Sequence, residues 1–315
     1  MKTAKLYYGF DMGGTKIEMG VFDRDLNRLW AKRVATPKHD YAALVNSFRR
    51  LTEEADAHFA TRGVVGIGIP GLIDHTKGTV FTTNVPAAQN KPFVTDVEAA
   101  LGRPIKIDND ANCFVLSESM DAEFKPYQSV LGVIIGTGLG GGVVVNGHIC
   151  SGRNNMAGEI GHVRLNTDLL DILGYDIPQP KCGCGQKGCV ENYLSGRGLE
   201  RAYQYFYGVR STAPEIITLY RQGEPQAKAH VERYISLFSA FLASVLTLFD
   251  PHLVVIGGGL SNFGELYEKI ENKLPVYLFP TAVLPRIVPA KYGDAGGVRG
   301  AAFLNLVDEK IESQD

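Results

Sequence analysis

A surplus of charge of either sign is missing from this sequence. Its 32 lysines and arginines face 34 aspartates and glutamates, for a formal net charge of −2. Such a chain offers no broad electrostatic footprint to nucleic acid or to an anionic membrane. Long apolar runs are missing too. The longest, Leu237–Phe249, is too short to span a bilayer and is broken by Ser239 and Ser244, so a buried helix is expected there. Met1-Lys2-Thr3-Ala4-Lys5 runs straight into an apolar strand, which predicts no signal peptide. There is no low-complexity segment, no obvious linker and no His-Glu-x-x-His motif. Cysteine is sparse, five in all, with three crowded into Cys182–Cys189. That pattern argues against a disulfide framework and for a metal site in a reducing compartment, hence a cytoplasmic protein. At 315 residues, 45% hydrophobic and 21% charged, the chain reads as globular with two domains of ordinary size.

Glycine, by contrast, is abundant, and its placement organises the reading. Leu6–Phe22 is an apolar run, a tight Gly13-Gly14-Thr15-Lys16 turn and a second apolar run. Two strands joined at glycines expose backbone N–H groups that cradle an anion. Thr15 adds a hydroxyl, Lys16 a cation, and Asp11 a carboxylate able to hold Mg²⁺ through water. The turn is not a Walker A loop, because Thr15 follows Gly14 where that motif needs lysine. The same grammar returns at Leu131–Val145, where Gly136-Thr137-Gly138 joins two strands and Asn146-Gly147 predicts a type I′ hairpin. Gly136, Gly138 and Gly141 satisfy G-x-G-x-x-G, yet valines follow where a dinucleotide fold needs a helix. Two such hairpins, about 125 residues apart, look like one unit used twice, with two lobes facing each other across a nucleotide triphosphate.

Between and beyond them the pattern alternates. Leu29–Val34 reads as a strand, Tyr41–Phe59 as an amphipathic helix, and Gly63–Ile69 as a buried strand ending at the Pro70-Gly71 turn. Residues 82–86 form a loop. Pro104–Ile107 is a strand closed by Asp108-Asn109-Asp110, and Ala111–Met120 is a helix with Asn109 or Asp110 near its N-cap. Capping alone favours both residue types there. A carboxylate at that helix end is also kept ionised, as a general base for a hydroxyl must be, and Asp110 is the candidate. Leu199–Phe206 and Gln226–Phe249 read as helices, the latter ended by Asp250-Pro251. Leu253–Ile256 is a strand running into Gly257-Gly258-Gly259, where an adenine and ribose could lie against bare backbone. Gly293–Gly300 precedes a final helix, Ala301–Lys310. Alternation of this kind is the mark of an α/β sheet flanked by helices.

Gly158-Glu159-Ile160-Gly161-His162 is followed by Cys182-Gly-Cys184 and Cys189 in a glycine-rich loop. Three thiolates with His162 as fourth ligand make a closed tetrahedral Zn²⁺ site, structural rather than catalytic.

Together, Asp11-x-Gly13-Gly14-Thr15-Lys16, Gly136-Thr137-Gly138 through Val145, Asn109-Asp110, Glu159-x-x-His162 and Cys182-Gly-Cys184 to Cys189-x-Glu191 resemble the ROK family of sugar kinases over nearly the whole chain. The resemblance implies a two-lobed actin-like ATPase (ribonuclease H-like) α/β fold with a nucleotide and sugar cleft between the lobes. It implies a small N-terminal lobe over 1–120, joined by a C-terminal helix at about 300–315, and a large lobe over 121–299 that carries the zinc loop. ATP would be bound by Gly9, Phe10, Asp11, Met12, Gly13, Gly14, Thr15 and Lys16, and by Gly136, Thr137, Gly138, Leu139, Gly140, Gly141, Gly142, Val143, Val144 and Val145, with Gly257 and Gly258. Sugar hydroxyls would meet Asn109, Asp110, Glu159, His162 and Glu191, with Gly71 and Asn84 lining the pocket and Asp110 as catalytic base. The metal ligands would be His162, Cys182, Cys184 and Cys189. The implied reaction is ATP- and Mg²⁺-dependent phosphorylation of the 6-hydroxyl of N-acetylglucosamine, with glucose or N-acetylmannosamine as the alternative substrate. A homodimer is implied as well. The family also contains repressors, but only eight residues precede Gly9, too few for a DNA-binding domain. A hydrolysing actin-like ATPase explains the two hairpins and leaves Asp110 and the zinc signature unexplained.

Overall fold

The computed structural model describes residues 5–312 except His75 and Thr83. The N-terminal tetrapeptide read for a signal, Thr83 of the 82–86 loop, and 313–315 of the expected terminal helix lie outside the described residues. Two compact units emerge: Met1–Pro126 with Val143–Ala157 and Tyr292–Asp315, and Tyr127–Gly142 with Gly158–Lys291.

The first unit starts with β1 (Tyr7–Met12), β2 (Lys16–Phe22) and β3 (Arg28–Ala35), an antiparallel meander. Helix α1 (Tyr41–Phe59) follows, capped by Asp40, whose carboxylate accepts the Ala43 N–H at 2.9 Å. Then come β4 (Val64–Ile69), the small hairpin β5 (Leu72–Asp74) and β6 (Thr79–Phe81), α2 (Phe93–Leu101), β7 (Ile105–Asn109) and α3 (Asp110–Ser119). The sheet order is β3-β2-β1-β4-β7, with β4 parallel to both β1 and β7. Strand β7 runs two residues beyond its expected end, because Asp108 and Asn109 keep pairing with Gly68 and Ile69.

Past α3 lie β8 (Ser129–Ile135), β9 (Leu139–Val145) and β10 (His148–Ile149), with Asn146 and Gly147 both at positive φ as a type I′ turn requires. The second unit holds β8, β9 as far as Gly142, and then α4 (Thr167–Leu173), α5 (Glu191–Leu194), α6 (Gly196–Tyr207), α7 (Ala213–Arg221), α8 (Pro225–Phe249), β11 (Leu253–Gly257), α9 (Glu265–Lys273) and β12 (Arg286–Pro289). The second five-stranded sheet is ordered β10-β9-β8-β11-β12, with β11 parallel to β8 and β12. The strand order of the first sheet is therefore repeated, as the paired hairpins suggest. Helix α8 extends well beyond the apolar run that marks it and is long and apolar enough to cross a bilayer. Leu237–Leu242, Val245 and Leu246 are nonetheless buried within the unit, so it is a core helix.

The last helix, α10 (Gly296–Glu312), corrects one expectation: it begins inside the glycine run rather than after it. The reason is close approach. Gly9, Gly20 and Gly66 stand side by side on β1, β2 and β4. A Cβ at Gly9 would overlap the Val298 carbonyl, one at Gly66 the Ala301 carbonyl, and one at Gly300 the Cys113 carbonyl. Glycine on both partners lets α10 lie directly on the sheet and on α3. The opposite face of that sheet carries the main core, Phe10, Met12, Ile17 and Met19 against Leu44, Phe48 and Phe93.

Candidate functional site

Strands β1, β4 and β7 point the same way, and ligands of α/β sheets gather at the carboxyl ends of such strands. The register sets Asp11 opposite Gly68, and Gly68 opposite Asp108, so two carboxylates stand level with no side chain between them. Helix α3 follows β7 without a loop. Asn109 is its cap, accepting the Asn112 N–H on Oδ1 at 2.6 Å. That decides between the two capping candidates and leaves Asp110, the first helical residue, exposed. Asp108 fixes the bend beneath it, accepting the Asn109 N–H at 2.7 Å and the Asn112 side-chain amide at 2.8 Å. The Cys113 thiol reports how closely these acids gather. Burial first, then the charges of Asp108, Asp11 and Asp110, push it well above its ordinary range.

Asp11 also meets α10: a Cβ at Gly297, in the first turn, would lie 3.0 Å from Asp11 Oδ2. The positive end of that helix favours negative charge there. The adjoining Gly13–Lys16 turn is closed by the Gly13 N–H donating to Lys16 O at 2.8 Å, and held from β3 by the Thr36 hydroxyl on Gly13 O at 2.7 Å. Gly14 leaves room for Asn84, whose carbonyl would stand 2.9 Å from a Cβ. Asn84 is exposed. Gly71 has φ +140 and would collide with the Phe81 carbonyl as any other residue, which pins its loop on β6. Phe10 and Met12 turn their side chains into the core and Gly9 lies beneath α10, so Asp11 and the turn carry whatever this hairpin offers a ligand.

In the second unit, the Gly136-Thr137-Gly138 turn closes through the Gly136 N–H on Gly138 O at 3.0 Å. Gly196 at the start of α6 donates to Gly136 O at 2.8 Å. Gly258, at φ +83, lies so near β8 that a Cβ would stand 2.5 Å from Ile135 O. Beside these glycines opens a cavity of about 720 Å³, lined by Gly136, Thr137, Arg197, Glu200, Gly259 and Phe263 and by one face of α7. Gly257 ends β11 and is buried; Gly259, one residue beyond Gly258, reaches the cavity wall. Val143 and Val144 are buried, so only their backbone is left for a ligand. Gly141 and Gly161 bring the Glu159–His162 segment against β9; a Cβ at Gly161 would overlap Leu139 O.

His162, Cys182, Cys184 and Cys189 converge, their ligand atoms all within 4.8 Å of one another. His162 Nδ1 lies 3.5 Å from Cys182 Sγ, and the Cys184 and Cys189 sulfurs are 3.6 Å apart. A tetrahedron with metal–sulfur bonds of about 2.3 Å has edges of about 3.8 Å, close to these two separations, so the cluster is compatible with one Zn²⁺. The other ring nitrogen, Nε2, faces Glu159 at 3.6 Å, as an outer carboxylate that orients a ligand histidine does. Glu191 Oε1 is 3.2 Å from the Cys182 thiol, which burial and that carboxylate raise to about 12. A cation would displace this proton. The loop is clamped from behind by the Tyr193 hydroxyl on Pro178 O at 2.8 Å.

The division of the chain assigns Gly71, Asn84, Asn109 and Asp110 to the first unit with Asp11, and Glu159, His162 and Glu191 to the second with the metal loop. Sequence reasoning missed α7 and the cavity residues it supplies. One signal was present: Thr212-x-x-Glu215 forms a capping box with both reciprocal bonds made.

A model of the ROK family matches residues 7–307 of the chain. An N-acetyl-D-glucosamine kinase of Yersinia pseudotuberculosis serotype IB (strain PB1/+) is 57% identical over 304 residues, covering 96% of this chain and 100% of its own. Among solved structures, the ROK hexokinase from Thermus thermophilus has a TM-score of 0.85 at 32% identity, covering 96% of this chain and 99% of that one. A ROK family glucokinase from Streptomyces griseus, crystallised with glucose and AMPPNP, has a TM-score of 0.75 at 30% identity, covering 95% and 98%. The repeated sheet order and these likenesses make the fold that of the actin-like ATPases.

Proposed function

The chain belongs to the ROK family, and we propose on that premise that it phosphorylates the 6-hydroxyl of N-acetyl-D-glucosamine with ATP, releasing ADP. The observation that carries the reaction is Asp110, an exposed carboxylate in the first turn of α3, next to the cap residue Asn109 and seated on the bend that Asp108 holds. The full-length likeness to the Yersinia kinase supports the choice of sugar.

Phosphoryl transfer asks a protein mainly to position reactants and to neutralise charge. The Gly13–Lys16 and Gly136–Gly138 turns supply backbone N–H groups for the β- and γ-phosphates. Base and ribose enter the cavity beside Gly259. Mg²⁺, when bound with ATP, offsets phosphate charge, and Asp11 is the residue that would hold it through water. Asp110 accepts the proton of the attacking hydroxyl. Asn109, Glu159, His162 and Glu191 bind the other sugar hydroxyls, and the loops of Gly71 and Asn84 complete that site. Zn²⁺ is the metal that three thiols and one imidazole fit, and four protein ligands leave no place for a reacting water, so its role is to fix the loop that bears Glu191.

The same reading takes the two compact units as the two lobes of the kinase, the protein as a homodimer and its setting as the cytoplasm, for which a cysteine cluster placed for a metal rather than for disulfides speaks. One coupled assay with Mg-ATP and a panel of amino- and neutral hexoses tests the core of it. ADP release that depends on N-acetylglucosamine, with a lower kcat/KM for glucose and N-acetylmannosamine, is expected. ADP release independent of sugar would favour a hydrolysing ATPase instead. A preference for glucose would favour the hexokinase reading.

A further inference from the structure

The cavity of the second unit takes a whole wall from α7. Ala213, Pro214, Ile217, Thr218 and Arg221 line it, a spacing that selects one helix face. Arg221 ends that row, and its side chain is unusually fixed. Nε donates to Glu265 Oε1 at 2.7 Å and Nη2 to Oε2 at 2.8 Å, a two-point fork between α7 and α9. The guanidinium carbon stands 5.8 Å from the centre of the Phe263 ring, which is buried in the cavity wall and meets Tyr220 edge-on at 5.7 Å.

An ion pair this exposed, 53% and 37% for the two side chains, stabilises a fold little. What it does is hold a long side chain in one place with its charge already balanced. A balanced guanidinium is a poor phosphate ligand and a good platform, because its plane stacks on flat π systems. Resting on the nucleotide reading above, we infer that Arg221, clamped by Glu265, is a nucleobase-positioning residue whose guanidinium packs against the purine of ATP and leaves the triphosphate to the glycine turns. The pair thus separates two jobs within one ligand: α7 and α9 hold the base, and the hairpin holds the phosphates.

Calorimetric titration of the full chain with Mg-ADP and with Mg-pyrophosphate tests the division. Arg221→Ala is expected to weaken ADP about tenfold, to leave pyrophosphate within about twofold, and to leave the sugar KM unchanged. Arg221→Lys should lose as much as Arg221→Ala, since an ammonium has no plane. Glu265→Gln should weaken ADP by a smaller factor at an unchanged thermal midpoint. Wild-type affinity for ADP in Arg221→Ala, or an equal loss for ADP and pyrophosphate, overturns the inference alone. A wild-type protein that bound pyrophosphate but no ADP would overturn the nucleotide reading together with it.

Discussion

Gly138 of the second hairpin rests on Glu191 of the metal loop: a Cβ at Gly138 would come within 2.8 Å of Glu191 Oε2. The neighbour is the far end of a flexible side chain, so an alanine there displaces the carboxylate and leaves the fold intact. Glu191 is assigned to sugar binding and Gly138 to phosphate binding. Gly138→Ala is therefore expected to raise the KM for N-acetylglucosamine and for ATP together, each on the order of tenfold, with no change in thermal midpoint. Steady-state kinetics with each substrate varied in turn gives the two values. A rise for ATP alone would show that the contact carries nothing to the sugar.

The metal loop has a different signature. Cys184→Ser removes one corner of the tetrahedral set, and the metal content of the purified protein, measured by atomic emission, is expected to fall from about one zinc per chain to near zero. Because Glu159 faces the imidazole of His162 and Glu191 faces Cys182, losing the ion frees both carboxylates. The KM for sugar should rise by about tenfold or more while the KM for ATP stays close to the wild-type value. Wild-type protein purified without chelator and devoid of zinc would remove the metal from the account.

How far the sequence reveals this molecule depends on the range of the forces involved. The two hairpins, the Tyr41–Phe59 helix and the Asn146-Gly147 turn are written locally, in alternating apolar residues and in glycines that only a turn needs. The cysteine cluster is legible because three of its four members sit in one short glycine-rich loop, and the fold brings His162 to them. The glycines of 293–300 mislead for the opposite reason. Local propensity reads them as a loop, whereas contact with Asp11 and with the Cys113 carbonyl makes them the start of α10. The cavity wall is less legible still. Gly136, Arg197, Arg221 and Phe263 share no motif, and only tertiary packing brings them together.

His230 predicts how stability responds to acid. It is buried in α8, donates through Nε2 to Leu199 O at 2.9 Å, and has no partner for Nδ1 among the described residues. Burial above all, and then the nearby Arg233 charge, lower its pKa from 6.5 to about 4. The unfolded chain thus takes up a proton below pH 6.5 that the folded chain refuses until about pH 4. Its contribution to stability is complete above pH 6.5 and is lost on acidification across that window, by about 3 kcal/mol at most. Urea unfolding at a series of pH values should show this slope in the wild type and a flatter one in His230→Gln. Parallel profiles would assign the acid sensitivity to the carboxylates.

Asp108 and Asp110 offer the sharpest separation of roles, because two carboxylates lie two residues apart and do different work. Asp110→Asn keeps the size and the Ala111 N–H bond to Oδ1 but cannot take a proton, so kcat should fall by at least about a hundredfold. ADP affinity and thermal midpoint should stay as they are, since neither depends on that proton. Asp108→Asn keeps an acceptor for the Asn109 and Asn112 groups, so the bend survives and kcat should fall by less than about tenfold. Single-turnover rates with saturating sugar and Mg-ATP isolate the chemical step for both variants. The reverse order of effects would move the base from the exposed first turn of α3 to the strand end beneath it, and Asp110 would then be left with substrate contact alone.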